Sequence, residues 1–179
     1  MSTPWLIGDY KSTKVVQIVR HPVPQFLSWK SRGWDPGVEL TLLLRSIGRG
    51  AGIFEEQAVD IEGRDGADFW ENAAFFWSMM ATMQLKSHKV NSVLVEHEWL
   101  CQKPYERVSR VAQFCDLQMT DSVSEFLSPG RARATGPGYG ESRSSAGEIH
   151  KWRGSISDKD LAKVMRVTKL FDLPFYQDL

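Results

Sequence analysis

The sequence has little of what marks several classes of protein. It has only two cysteines, Cys101 and Cys115, which are too few for a disulfide framework or a cysteine zinc site and favour a reducing compartment such as the cytoplasm. Its 22 lysines and arginines are balanced by 22 aspartates and glutamates, so it lacks the basic excess of a general nucleic-acid binder, although a local basic pocket stays open. No apolar run approaches the roughly 18 to 20 residues that span a bilayer, and no apolar signal segment follows Met1. We therefore expect a globular protein with neither a membrane span nor a nucleic-acid partner.

Apolar patterns predict two strands among several helices. Lys14–Val19 and Ser92–Glu96 are short β-branched runs that are typical of buried strands. The predicted helices cover about 24–32, 38–47, 67–86, 104–115, 121–127 and 157–171. Gly33 ends the first helix, and Ser157 caps the last. Strands that alternate with helices favour an α/β layer, although two strands are few for one.

The helix predicted over 67–86 carries aromatic residues at helical spacing, namely Phe69, Trp70, Phe76 and Trp77. This stripe has two interpretations. Packing into the core is the stronger one, because an apolar helical face normally points inward. The other is a wall of a pocket for an acceptor molecule.

Arg20 stands where the first predicted strand ends, and a helix opens almost at once. Ligands of open α/β sheets collect at the carboxyl ends of the strands. An arginine, the free N–H groups of a helix N-terminus and the hydroxyl of Ser28 together suit a bound phosphate. The other interpretation, favoured on these residues alone, is an arginine paired with a local acid and a serine on a solvated helix face.

Four segments, in order, carry a resemblance to one family. K-V-V-Q-I-V-R-H-P-V-P-Q-F-L-S-W, with Ser28 eight positions after Arg20, resembles the 3′-phosphate-binding strand–loop–helix of the PAPS-dependent sulfotransferases. V-L-V-E-H-E-W-L-C-Q-K-P is similar to the family's strand ending in Tyr-Glu-Asp-Leu, and V-S-R-V-A-Q-F-C-D-L to its helix ending in Phe-Leu-Gly-Leu. I-H-K-W-R-G-S-I-S-D-K-D-L resembles its C-terminal Trp-Arg segment. The resemblance runs from about residue 14 to the C-terminus.

The resemblance implies a fold, a reaction and a donor site. The fold is a partial parallel sheet like that of the P-loop NTPases, flanked by helices. The reaction moves a sulfuryl group from PAPS (3′-phosphoadenylyl sulfate) to a hydroxyl or amine, without a metal. The implied donor-site residues are Arg20 and Ser28 at the 3′-phosphate, His97 near the adenine, and Arg143, Lys151 and Arg153 as basic contacts. We identify no catalytic base, and we interpret Trp152 as a packing residue.

The sequence also departs from the family. The family's glycine-containing loop for the 5′-phosphosulfate belongs well upstream of the Arg20 strand, and no segment here resembles it. His97 replaces the family's Tyr, and Trp99 its Asp. We therefore expect a single incomplete domain over 1–179, truncated at its N-terminus, inactive or weak as this chain alone and of open enzymatic status. The alternative is a non-catalytic remnant, or a nucleotide- or protein-binding module of the same fold.

Two structural expectations follow. A sheet that lacks its first strand is short and has an exposed edge or apolar flank near Val15–Val19, which favours self-association. The Gly-, Ser-, Pro- and Arg-rich stretch 128–147 is predicted to be a flexible loop.

Overall fold

A computed structural model of the chain describes residues 13–47, 68–86, 91–127 and 149–176. The elements, in chain order, are β1 (Val15–Val19), α1 (Pro22–Ser31), α2 (Pro36–Ile47), α3 (Phe69–Lys86), β2 (Ser92–Glu96), α4 (His97–Gln102), α5 (Pro104–Phe114), α6 (Asp121–Leu127), a 3₁₀ helix (Lys151–Gly154) and α7 (Asp158–Lys169). They form two compact units. The sheet unit comprises the described residues within Met1–Arg20 and Ser87–Lys151, and the helical unit those within His21–Lys86 and Trp152–Leu179.

The sheet unit is built on two parallel strands. β1 pairs with β2 in a register that sets Val15 beside Ser92 and Val19 beside Glu96. Side chains alternate across β1, so that Val19 is buried while Ile18 is 53% exposed. In the described residues, the predicted α/β class and short sheet are confirmed, and so is an exposed apolar flank on β1.

Helix α5 of the sheet unit ends in a Schellman turn. The Leu117 N–H donates to the Ala112 carbonyl at 2.9 Å, and the Asp116 N–H donates to the Gln113 carbonyl at 3.1 Å. Asp116 has a φ of 57°, which is the left-handed conformation that this turn requires. Its carboxylate also lies 2.6 Å from the Lys14 ammonium, which joins the end of α5 to the residue before β1.

Helix α3 is the central helix of the helical unit and packs against α1, α2 and α7. Its buried residues lie on most of its circumference rather than on one stripe. Trp70 and Trp77 are each 5% exposed, and Phe75, Ser78 and Met79 are completely buried. A helix that is apolar on nearly every side belongs in a core. The core interpretation of the aromatic stripe is therefore confirmed for both tryptophans.

Helix α1 stops where glycine was predicted to stop it. Gly33 has a φ of 68° and donates its N–H to the Lys30 carbonyl at 3.1 Å, while the Trp34 N–H donates to the Trp29 carbonyl. A Cβ at position 33 would meet nothing within 4 Å, so only the backbone conformation demands glycine there.

Helices α3 and α7 are joined by two ion pairs. The Asp68 carboxylate caps α3 by accepting from the N–H groups of Trp70 (3.1 Å) and Glu71 (3.2 Å), and it also pairs with Lys163 of α7. One turn further on, Glu71 pairs with Arg166. The spacing of three residues on both helices makes the two pairs neighbours.

Two features complete the comparison with the sequence. Within the ranges given above, no helix is long and apolar enough to cross a membrane. The loop predicted for 128–147, which includes Arg143, lies outside the described residues.

Candidate nucleotide-binding site

Arg20 and His97 lie at the same end of the sheet. Each directly follows its strand, and the strand-terminal residues Val19 and Glu96 are register partners. Arg20 is exposed, and His97, the first residue of α4, is half-buried. The parallel pairing therefore places two predicted donor-site residues at one carboxyl edge, which is where α/β sheets bind ligands.

The imidazole of His97 is held by its own helix. Cys101, four residues on, places its Sγ 3.5 Å from Nε2 of His97, and Glu98 places Oε1 3.6 Å from Nδ1. Burial raises the pKa of the Cys101 thiol, the negative charge of Glu98 raises it further, and the positive charge of Arg20 opposes both. Because the net effect is upward, burial and Glu98 disfavour the thiolate form of Cys101.

Glu96 adds negative charge to this edge. Burial, followed by the neighbouring charge of Glu98, raises the pKa of the Glu96 carboxyl above its ordinary value of 4.5. The carboxylates of Glu96 and Glu98 therefore belong to the same end of the sheet as Arg20, and this edge is not purely basic.

The first turn of α1 offers less to an anion than the sequence suggests. Pro22 and Pro24 have no N–H groups, and the Val23 N–H donates to Nδ1 of the N-cap residue His21 at 3.3 Å. The expectation of free N–H groups at the start of this helix is therefore wrong for Pro22, Val23 and Pro24, because proline has no N–H group and the cap takes that of Val23. Anion binding here depends on side chains and the helix dipole.

His21, in the helical unit, contacts Trp152, which stands between the predicted donor-site residues Lys151 and Arg153. Its ring stacks on Trp152, with centroids 4.4 Å apart and an interplanar angle of 27°, and meets the edge of Tyr176 at 5.2 Å. His21 and Trp152 are 8% and 7% exposed, so both rings are buried. The interpretation of Trp152 as a packing residue is confirmed. Its partner is the residue that follows Arg20.

The other predicted residues take different positions. Ser28 lies half-buried on α1 in the helical unit, whereas Arg20 belongs to the sheet unit. Lys151 and Arg153 are exposed on the 3₁₀ helix, and the Arg153 guanidinium lies 5.7 Å from the Trp152 ring centroid. Arg143 lies outside the described residues. Among the residues that are described, no group of three or more His, Cys, Asp or Glu side chains could hold a metal ion.

Sequence reasoning missed two residues that contact the predicted site, His21 and Cys101. The role of His21 as an N-cap was readable in principle, because a polar residue directly before Pro22 stands at the usual cap position. The contact of Cys101 with His97 required knowledge that α4 begins at residue 97, since only a helix brings residues i and i+4 together.

No protein-family model matches this chain, and no curated protein or solved structure shows significant similarity to it.

Proposed function

We propose that this chain binds the 3′-phosphate and adenine of a PAPS-type nucleotide and serves sulfuryl transfer to a hydroxyl or amine acceptor. Arg20 and Ser28 are the phosphate ligands, and His97 stacks on the adenine. Arg143, Lys151 and Arg153 supply further positive charge. Neither a metal nor a nucleic acid takes part.

The stack of His21 on Trp152 carries this proposal. The two rings belong to segments that are far apart in sequence, and the family resemblance places both segments at one donor site. His21 sits one peptide bond after Arg20, and Trp152 sits between Lys151 and Arg153. Direct packing between these segments is what a shared nucleotide site requires.

Two further observations agree with the resemblance. The register of β1 and β2 sets Arg20 and His97 at one sheet edge. Asp116 adopts the left-handed conformation at the position where the resembling family segment Phe-Leu-Gly-Leu has glycine.

In the proposed reaction the acceptor loses a proton and attacks sulfur. The new bond to sulfur forms as the bond from sulfur to the bridging phosphate oxygen breaks, and adenosine 3′,5′-bisphosphate leaves. Cationic side chains stabilise the charge on the leaving nucleotide. We expect this chain alone to transfer slowly or not at all, because its sequence contains no segment that resembles the 5′-phosphosulfate loop.

Calorimetric titration tests the proposal. Adenosine 3′,5′-bisphosphate should bind more tightly than adenosine 5′-monophosphate, which lacks the 3′-phosphate. Arg20→Gln should abolish that preference and lower the affinity for adenosine 3′,5′-bisphosphate at least about tenfold, because a charge-assisted hydrogen bond to phosphate is removed. Arg110→Gln is the matched control, since Arg110 is exposed and pairs with Glu106 four residues before it on the same helix.

The same titration distinguishes the proposed function from the alternative of a non-catalytic module. A response that ignores Arg20→Gln, or no binding at all, would favour a non-catalytic remnant or protein-binding module of the same fold. Sulfuryl transfer by the chain alone would contradict the expected weakness.

We also propose that two copies associate along β1 in the cytoplasm. In the described residues β1 pairs only with β2, its Ile18 is exposed, and neither cysteine is part of a disulfide. Sedimentation velocity should detect a dimer that Ile18→Lys weakens, and a monomer at all concentrations would refute the association.

A further inference from the structure

The helical unit contains a cleft that the proposed nucleotide site does not use. Its volume is about 380 Å³, and it opens between Trp77 of α3 and the segment that follows α7. Three of its lining residues, Trp77, Leu173 and Phe175, are buried, with 5%, 4% and 8% exposed, while most of the surface that the cleft exposes is polar. A volume of this size is typical of small-molecule sites.

The backbone beside the cleft is strained. Asp172 and Tyr176 both line it, and they have φ values of 43° and 57°. A left-handed conformation is uncommon for aspartate and rare for a bulky tyrosine. Such residues cluster at ligand sites, where the surrounding structure holds them in place.

Two opposite charges line the same cleft. Lys169 and Asp172 are exposed, and neither side chain forms a hydrogen bond or ion pair within the described ranges. The hydroxyl of Thr168, which also lines the cleft, already donates within α7 to the carbonyls of Val164 (3.1 Å) and Met165 (3.2 Å). Ligand recognition by charge therefore falls to Lys169 and Asp172.

We propose that this cleft binds a small zwitterion with an aromatic body, of the chemical class of an aromatic amino acid. The ring lies against Trp77, Phe175 and Tyr176, where aromatic contacts replace water. The carboxylate pairs with Lys169 and the ammonium with Asp172. The inference uses no residue of the nucleotide site and stands independently of it.

Three probes test the proposal by amide NMR titration of the whole chain, namely L-phenylalanine, phenethylamine without the carboxylate, and 3-phenylpropionate without the ammonium. L-phenylalanine should bind three- to fivefold more tightly than either analogue, because each exposed ion pair is worth up to about 1 kcal/mol. Shifts should centre on Lys169, Asp172 and Tyr176.

Two variants should each weaken the binding of a different pair of probes, whereas general damage to the fold would weaken the binding of all three. Lys169→Gln should weaken the binding of L-phenylalanine and 3-phenylpropionate but leave that of phenethylamine unchanged. Asp172→Asn should weaken the binding of L-phenylalanine and phenethylamine but leave that of 3-phenylpropionate unchanged. Because asparagine tolerates the left-handed conformation, the Asp172→Asn variant keeps the fold. Lys159→Gln, at the other end of α7, should change nothing.

Equal affinity for the three probes, shifts elsewhere in the chain, or no shifts up to about 10 mM ligand, which is weaker than any useful affinity, would overturn the proposal. The titration with adenosine 3′,5′-bisphosphate is read separately, so failure here leaves the nucleotide site untouched.

Discussion

Ser78 places an unsatisfied hydroxyl group in the described core. It is completely buried in α3, and its hydroxyl oxygen has no hydrogen-bond partner among the described residues. Ser78→Ala removes an unsatisfied polar group without leaving a large cavity. We expect the free energy of unfolding to rise by about 1 kcal/mol, measured as a higher urea midpoint at an unchanged slope.

Ala74→Ser is the reverse experiment on the same helix. Ala74 is also completely buried, so a hydroxyl there should lower the free energy of unfolding by about 1 to 3 kcal/mol. Loss of stability in Ser78→Ala would mean that the hydroxyl has a partner in solution.

Asp116 adopts the left-handed conformation that the Schellman turn requires, and this conformation is unfavourable for a residue other than glycine. Asp116→Gly and Asp116→Ala both remove the carboxylate that pairs with Lys14, so their comparison isolates the positive φ. We expect the glycine variant to be more stable than the alanine variant by about 1 kcal/mol. Thermal melts of the two variants measure the difference, and equal melting temperatures would show that the turn rearranges.

At the scale of elements, the start of α1 depends on two separate functions of His21. Its Nδ1 caps the helix, and its ring stacks on Trp152. His21→Asn keeps a capping oxygen and loses the stack, whereas His21→Phe keeps a ring and loses the cap. Each should lower the free energy of unfolding by about 1 kcal/mol.

His21→Ala removes both functions and should cost about the sum, near 2 kcal/mol. Chemical denaturation of the three variants provides the measurement. A His21→Phe variant as stable as the parent chain would show that the cap is dispensable. The same variants, titrated with adenosine 3′,5′-bisphosphate, report whether the stack also orders the residue that precedes it.

Sequence patterns located most elements because their signals are local. The β-branched run of β2 and the helix α6 have the predicted bounds, and Gly33 and Ser157 mark helix ends through turn and cap chemistry. Helix α4 was missed because its six residues are too few to establish an apolar period.

The candidate site was predictable only in part. Parallel pairing of two strands places Arg20 and His97 at one edge, in agreement with the parallel sheet that the family resemblance implies. The contact of His21 with Trp152 was not predictable, because it is a tertiary contact with no periodic signal. The expectation of free N–H donors on α1 was wrong because both prolines lack an N–H group and His21 accepts from the Val23 N–H.

At the scale of the whole molecule, two ion pairs join the start of α3 to α7 within the helical unit. These ion pairs make the free energy of unfolding depend on pH. Burial alone would raise the pKa of the Asp68 carboxyl, but hydrogen bonds from Lys163 and from the N–H groups of Glu71 and Trp70 hold the pKa below its ordinary value of 3.8. A lowered pKa in the folded state contributes stability that is present above pH 3.8. That stability is lost as the pH falls through the folded-state value.

Asp68→Asn keeps an oxygen that can cap α3 but removes the charge that pairs with Lys163. We therefore expect a lower urea midpoint than that of the parent chain at pH 7, and convergence of the two midpoints well below pH 3.8, where the parent carboxylate is protonated as well. Asp158→Asn, at the exposed start of α7, is the matched control and should leave a smaller difference. A deficit in Asp68→Asn that persists unchanged at low pH would mean that the side chain stabilises the helix start only by capping, so that the charge linking α3 to α7 contributes nothing.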